Sequence, residues 1–247
     1  MPKIGQFDTD SDALVKRVSA HDVYGTSELN DWIFDTVGLS KGLNVLDLGC
    51  GFGKQTLAML SMGCKVLAVD ASLESLKLLR SKTSTDKLTT IHSSFDHMEL
   101  PDILFDTVIS SYSFYYSENP KLVLENIYKK MKKTGKIFIC GPSFQNNIGM
   151  KNLLKKVGIN FGEGSAPFME NKAPILFDQV FGNVKKLVFK NSIKFPSADS
   201  VWNYWSSHNM FDASVEGVFK KELDEHFKVY NSFETTKIAL GLLSVKL

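Results

Sequence analysis

A chain of 247 residues, 43% apolar and 23% charged, can bury a large core as one elaborated domain or as two. A formal net charge of +2, with lysine pairs scattered from Lys129-Lys130 to Lys220-Lys221, gives no footprint for nucleic acid. No apolar run reaches the length of a membrane span, the first residues lack a signal-peptide core, and Cys50, Cys64 and Cys140 have no metal-ligand spacing, so free thiols in the cytoplasm are expected.

From Asp8 to Leu39 the chain reads as two helical pieces, the first capped by Ser11 or Asp12. The second carries the apolar stripe Trp32, Ile33, Phe34 and Val37. His21 to Thr26 is a polar break between them. Strands and helices then alternate: strand to Leu48, helix from Lys54, strand to Val69, helix from Ser72, strand over Thr89 to His92 and strand from Phe105 to Ser110. A helix from Asn119 and a strand to Cys140 follow. This alternation predicts an α/β fold with a mostly parallel sheet and helices on both faces. Ligands then bind beyond the carboxyl ends of the strands, where Gly49, Asp70, Asp96 and Ser111 can converge. The second half predicts helices over Asn147 to Val157 and Pro174 to Phe181. A strand from Val184 to Phe195, helices over Ser197 to His208 and Ser214 to Val229, and a closing strand from Lys237 to Lys246 complete it.

The chemistry starts at Asn44-Val45-Leu46-Asp47-Leu48-Gly49-Cys50-Gly51-Phe52-Gly53-Lys54. A buried strand runs into an acid and then into three glycines at alternate positions. Such a turn lets backbone approach a ligand closely. The next strand ends in Asp70, an acid placed to accept hydrogen bonds from two ribose hydroxyls. Turn and acid together imply an adenosine-containing ligand. The dinucleotide fingerprint fails, because its third glycine falls one place early and Lys54 stands in its position. The phosphate loop fails too, since Gln55 follows Lys54 and Leu48 stands where its first glycine belongs. Asp47 would set a carboxylate beside a pyrophosphate, and suits a cationic group better.

The segment Val45 to Gly53 resembles motif I of class I S-adenosylmethionine-dependent methyltransferases. Three further segments resemble that family in order. Ser94-Phe95-Asp96-His97-Met98-Glu99-Leu100-Pro101 is similar to its adenine loop, Phe105 to Ser111 to its fourth strand, and Lys132 to Ile139 to its turn into the fifth. The resemblance covers about residues 40 to 142. It implies a Rossmann-like sheet with an antiparallel final strand, and S-adenosylmethionine as cofactor. Asp47, Gly49, Cys50 and Gly51 would lie at its methionine part. Asp70 and Ala71 would meet the ribose, and Ser94, Phe95 and Asp96 the adenine. Ser111 would lie beside the methyl group. Relatives often fold an N-terminal tyrosine over the methionine end, which makes Tyr24 a further cofactor contact.

The expected organisation is an N-terminal helical cover over residues 1–40 and a cofactor-binding core over 41–195. A helical insert over 196–234 and a final core strand over 235–247 complete it. An insert of that length reads as a substrate cover. Methyl transfer from a sulfonium releases a neutral thioether, so alignment, exclusion of water and at most one proton acceptor are needed. The candidates are His208 in the cover, Tyr115 and Tyr116 after the fourth strand, and His21 in the break. Trp202 and Trp205 share a helix face and read as core of the insert or as part of the cover. The acceptor is expected to be a small molecule methylated at oxygen or nitrogen. RNA or protein methylation, and a cofactor-binding protein without catalysis, are the alternatives. The Asn/Asp-Pro-Pro-Tyr motif of base-amine methylation is missing, since Ser111-Tyr112-Ser113-Phe114 stands in its place.

Overall fold

The computed structural model describes residues 11–160, 162–208 and 211–247. Apolar runs bounded by turns become the strands of one seven-stranded sheet, ordered β3-β2-β1-β4-β5-β7-β6. The strands are β1 (Asn44–Leu48), β2 (Lys65–Asp70), β3 (Leu88–His92), β4 (Phe105–Ser111), β5 (Met131–Pro142), β6 (Lys185–Phe195) and β7 (Phe233–Val245). The first five pair in parallel, and β7 runs antiparallel between β5 and β6. The strand order reverses at β1, between β2 and β4, so the crevice forms at the carboxyl end of β1. This is the expected mostly parallel α/β sheet with an antiparallel final strand.

Helices α2 (Leu29–Val37), α3 (Lys54–Ser61) and α4 (Leu73–Ser81) cover one face, with Ile33, Met59, Leu76 and Leu79 buried against Val45, Val66 and Phe138. Helices α5 (Pro120–Lys129) and α7 (Ala173–Phe181) cover the other, burying Leu124, Ile127 and Phe177 against Leu46, Val108 and Ile139. The third layer consists of α6 (Ile148–Lys156), α8 (Ala198–Ser206) and α9 (Glu216–Val229), packed on Ile193, Phe195 and Phe233 at the end of the β6–β7 hairpin. Trp205 is fully buried there and stacks on Phe219, and Trp202 packs on the same ring. The two tryptophans therefore form the core of the insert.

Three boundaries differ from expectation. Helix α1 (Ser11–Tyr24) continues through His21 to Tyr24, because nothing interrupts it before Gly25. Gly25 then bridges to Ile193 on β6, and a Cβ there would collide with the His21 carbonyl and Asn191. The expected start of this helix near Asp8 lies outside the described residues. Strand β7 begins at Phe233 rather than Lys237, and pairs with β6 up to Phe195–Phe233. The insert accordingly spans 196–232. Its pairing with β5 ends at Pro142–Ala239, so the hairpin outruns the parallel strands. Third, α8 ends at Ser206, so His208 follows the helix and is not part of it. Among the described residues no helix is long and apolar enough to cross a membrane.

Candidate functional site

Gly49, Gly51 and Gly53 all have positive φ (71°, 52° and 90°), a region that side chains avoid. A Cβ at Gly49 would collide with Ser113, and one at Gly53 with Leu79. The turn is thus closed over by its own chain on one side: Ser110 and Ser113 both donate to the Leu48 carbonyl, at 3.1 and 2.8 Å. These bonds tie the end of β4 to the end of β1.

Three acids lie near the carboxyl ends of β1, β2 and β3, and each is differently engaged. Asp47 is 1% exposed and accepts one hydrogen bond, from Thr56 Oγ1 at 2.5 Å. Burial pushes its carboxyl up to about 7; the Thr56 bond opposes the shift, and the charge of Asp70 adds to it. Asp70 accepts from the Gly51 amide at 2.7 Å on one oxygen and from the Ser72 amide at 2.8 Å on the other. Burial raises its pKa, against the pull of those two amides. Asp96 accepts from Ser117 Oγ and the Asn119 amide, both at 2.8 Å, and from the Glu118 amide at 3.0 Å. Its burial is outweighed by these donors, which hold its carboxyl below the usual range.

The other predicted cofactor residues are engaged as follows. Cys50 is buried, and burial raises its thiol pKa. Ala71 offers its carbonyl to His92 Nε2 at 3.1 Å. Ser94 Oγ pairs with His97 Nδ1 at 2.9 Å. Phe95 stacks on Phe114 and also borders Gly49. A groove of about 240 Å³ runs from Phe95 and Met98 to Val123. Ser111 Oγ accepts from the Cys140 thiol at 3.5 Å. Tyr24 lies elsewhere, its ring on Phe195 at the hairpin end.

Beyond β4 and β5 lies a second group of polar side chains. Tyr112 has φ 56°, and its hydroxyl is out of solvent contact with no hydrogen-bond partner. Burial raises its pKa well above 10, with the Cys140 thiol and the phenols of Tyr115 and Tyr204 adding to the shift. Lys237 Nζ sits 4.6 Å from the centre of the Tyr112 ring and 3.0 Å from His21 Nδ1. His21 Nε2 lies 3.2 Å from the Tyr204 hydroxyl, which also accepts from Asn147 Nδ2 at 3.0 Å. Asn147 Oδ1 is buried without a partner. A groove of about 520 Å³ lies at the β6–β7 hairpin, lined by Thr26, Gln145, Gly149, Ser192 and Thr235.

Of the predicted catalytic residues, His21 is therefore brought to this group, and Tyr115 lies close enough to act on Tyr112. Tyr116 packs on Tyr115 with ring centres 4.8 Å apart. His208 stacks on Trp205, centres 5.6 Å apart, in the helical layer. Sequence reasoning missed Tyr112, Asn147, Tyr204 and Lys237. Tyr112 lies in the stretch from Ser111 to Tyr116 and Tyr204 in that from Trp202 to His208, where their neighbours drew the attention. Lys237 had no local signal, because its place depends on how far the hairpin overhangs.

The N-terminal helices are fastened to the first turn of α3. Lys54 Nζ is 2.6 Å from Asp22 and 3.1 Å from Glu28, and Gln55 donates to Asn30 at 2.9 Å. Asn191 on β6 accepts from the Thr26 and Ser27 amides, which holds the α1–α2 connection on the hairpin. Lys54, out of place for a dinucleotide fingerprint, thus anchors the N-terminal helices.

A methyltransferase-domain family model matches residues 46–139. An uncharacterized methyltransferase of Schizosaccharomyces pombe is 23% identical over 222 residues, covering 88% of this chain and 87% of its own. Further curated proteins match about half of the chain or less, and the chain spans only 37–62% of their lengths. Among solved structures, a Haemonchus contortus phosphoethanolamine N-methyltransferase in complex with phosphomonomethylethanolamine and S-adenosylhomocysteine aligns at TM-score 0.55 and 14% identity. The match covers 88% of this chain and 52% of that one. A (4+2)-cyclase aligns at TM-score 0.57 and 12% identity, covering 100% and 98%. Both likenesses concern the fold.

Proposed function

We propose that this chain, which belongs to the class I S-adenosylmethionine-dependent methyltransferases, methylates a small molecule at oxygen or nitrogen. The observation that carries the reading is the pairing of a glycine-and-acid crevice with a separate, covered polar group just beyond β4. When bound, the cofactor supplies an electrophilic methyl whose bond to sulfur breaks as its bond to the acceptor forms. The chain's own residues fit it. Each Asp70 oxygen accepts one amide and keeps a lone pair for a ribose hydroxyl. Asp47 carries a buried carboxyl with a single donor, suited to a neighbouring cation. Phe95 offers a flat apolar face to a base, with Ser94 and Ala71 beside it. Gly49, Cys50 and Gly51 supply backbone at close range, and Ser111 borders the methyl end.

The acceptor side is assigned to Tyr112, Tyr115 and His21, under the layer of α1, α6 and α8. Alignment and exclusion of water supply the rate there, because a neutral thioether leaves without help from an acid. Tyr24, Tyr116 and His208 have their contacts with Phe195, Tyr115 and Trp205, and are assigned packing roles. The covered site and the scattered surface lysines favour a small acceptor over RNA or protein. Three buried free thiols suit a reducing cytoplasm. Calorimetry with S-adenosylmethionine and S-adenosylhomocysteine, followed by labelled-methyl transfer into a metabolite extract, tests the reading. Binding of neither would refute it. Binding without transfer to any metabolite would favour a cofactor-binding protein of other chemistry, as the cyclase with this fold illustrates.

A further inference from the structure

We infer that the groove at the β6–β7 hairpin is a binding site for an uncharged polyhydroxylated group, a sugar or a cyclitol. The inference goes beyond the methyltransferase reading and does not depend on it. The groove, of about 520 Å³, has the size of a small-molecule site. Five of the side chains lining it are neutral hydrogen-bonding groups: the hydroxyls of Thr26, Ser192, Thr235 and Thr236, and the amide of Gln145. Among the described residues none of these five side chains has a hydrogen-bond partner. The backbone of the same residues is engaged. The Thr26 amide donates to Asn191 Oδ1 at 2.7 Å and the Gln145 amide to Ser143 Oγ at 3.3 Å, and the Thr236 carbonyl accepts from the Asn147 amide at 2.9 Å. The chain is therefore held while the side chains are left over. Thr235 is the sharpest case, 5% exposed with its hydroxyl buried and unpaired. A hydroxyl left so is costly in a finished fold, and a ligand that bonds to it removes the cost.

Three separate parts of the chain build the groove and are pinned to one another. The hairpin is paired as far as Phe195–Phe233. The start of α6 is pressed onto it: a Cβ at Gly149 would collide with the Glu234 carbonyl and crowd Thr235. Asn147, just before α6, has φ 57°, a left-handed position that asparagine tolerates and most residues avoid. On the far side Gly25 bridges to Ile193, and Asn191 holds the Thr26 and Ser27 amides. A site fixed before its ligand arrives loses little freedom on binding.

Charge decides the class of ligand. Of the lining side chains only Lys194 and Glu234 are charged, and they pair with each other at 3.1 Å on the exposed rim. The lining thus offers no unmatched cation for a phosphate or carboxylate, and no unmatched carboxylate for an amine. No aromatic ring lines the groove as a platform for a flat base. Hydroxyls and an amide each donate and accept, which matches ligand hydroxyls that do the same. Ile148, Ile193 and Ile238 supply apolar surface for the C–H faces of a ring. The groove lies just past β5, where the Ser143 amide donates to the Ile238 carbonyl, at the same end of the sheet as the glycine turn.

The test uses the full chain and saturation-transfer NMR with the methyl glycosides of glucose, galactose, mannose and rhamnose, and with myo-inositol. At least one of these probes is expected to bind saturably. Glucose 6-phosphate and glucosamine should bind less than tenfold tighter than methyl glucoside. Ser192→Trp, at an exposed strand position, should fill the groove and abolish binding. Gln145→Ala and Thr236→Val should each weaken it about two- to tenfold. Thr235→Val should weaken it likewise and melt no lower than the wild type, because it removes a hydroxyl that bonds nothing in the fold. S-Adenosylhomocysteine affinity should stay within twofold in all four variants. The inference is overturned if none of the five neutral probes binds, or if Ser192→Trp binds them as the wild type does. It is also overturned if Thr235→Val melts lower, or if the phosphate or the amine binds at least tenfold tighter than methyl glucoside. Failure of the wild type to bind S-adenosylhomocysteine overturns the methyltransferase reading alone.

Discussion

Asp47→Asn is expected to make the ligand-free protein more resistant to unfolding as pH rises, at the expense of cofactor binding. The Asp47 carboxyl is held near 7 in the fold, against an ordinary value of 3.8. Between those values the unfolded chain loses its proton and the folded chain keeps it. Folding stability then falls with rising pH, because the native state binds more protons than the unfolded one. A gap of about three pH units corresponds to about 4 kcal/mol at neutral pH, of which about 2.5 kcal/mol develops between pH 5 and pH 8. Asparagine has no such proton. It keeps an oxygen for the Thr56 hydroxyl, but its amide protons need a partner, at a pH-independent cost of about 1–3 kcal/mol. The prediction therefore concerns the slope. Urea unfolding of both proteins at pH 5, 6, 7 and 8 should show the variant gaining on the wild type by about 2–3 kcal/mol, levelling above pH 7. Parallel curves would refute the claim that Asp47 is a buried, weakly compensated carboxyl.

Three further outcomes are expected. Asp70→Ala should weaken S-adenosylmethionine and S-adenosylhomocysteine alike by about 100-fold or more in calorimetry, since both share the ribose and two lost hydrogen bonds to a charged group are together worth about 3–6 kcal/mol. At pH 7, where Asp47 is about half protonated, S-adenosylmethionine should release more protons on binding than the neutral-sulfur product does. Isothermal titration in two buffers of different ionisation heat would measure that difference. Trp205→Ala should cost about 3–5 kcal/mol in chemical unfolding with little change in cofactor affinity, because the ring fills the core of the helical layer and not the crevice.

The sheet was legible because its signals are local. Strand-length apolar runs end in Gly49, Asp70 and Ser111, and each such end needs only its own few residues to be recognised. The cofactor side follows from the same ends. The polar group beyond β4 and β5 was not legible, for a physical reason that Lys237 illustrates. On β7 a lysine pairs with Asn191 and looks like any solvated strand position. Its meaning comes from the strand outrunning β5, from α1 continuing to Tyr24, and from the ring of Tyr112 turning under it at a left-handed backbone position. Those are long-range facts, and no window of sequence contains two of them. His208 shows the converse. As the last residue of an expected helix it looked well placed, but the helix stops two residues earlier and the ring stacks on Trp205 instead.

The three acids show how prior engagement separates residues that look alike in sequence. Asp47, Asp70 and Asp96 each lie near or just beyond the end of a strand, and each resembles a cofactor contact. Their hydrogen bonds rank them. Asp96 accepts three donors from Ser117, Glu118 and Asn119, the residues that lead into α5, and is held below the usual pKa, so its charge is already spent on fixing that connection. A further donor from an adenine would add little to a carboxylate so well satisfied. Asp70 accepts two backbone amides, which fix its plane and leave a lone pair on each oxygen, the state best suited to gripping two adjacent hydroxyls. Asp47 accepts one donor in a dry setting and is raised toward neutrality, so a cation brought beside it gains the most. The order of remaining capacity runs from Asp47 through Asp70 to Asp96. In the proposed cofactor site the adenine end would then fall to the Phe95 ring and to backbone around Ser94, with Asp96 acting on it through the position of the loop.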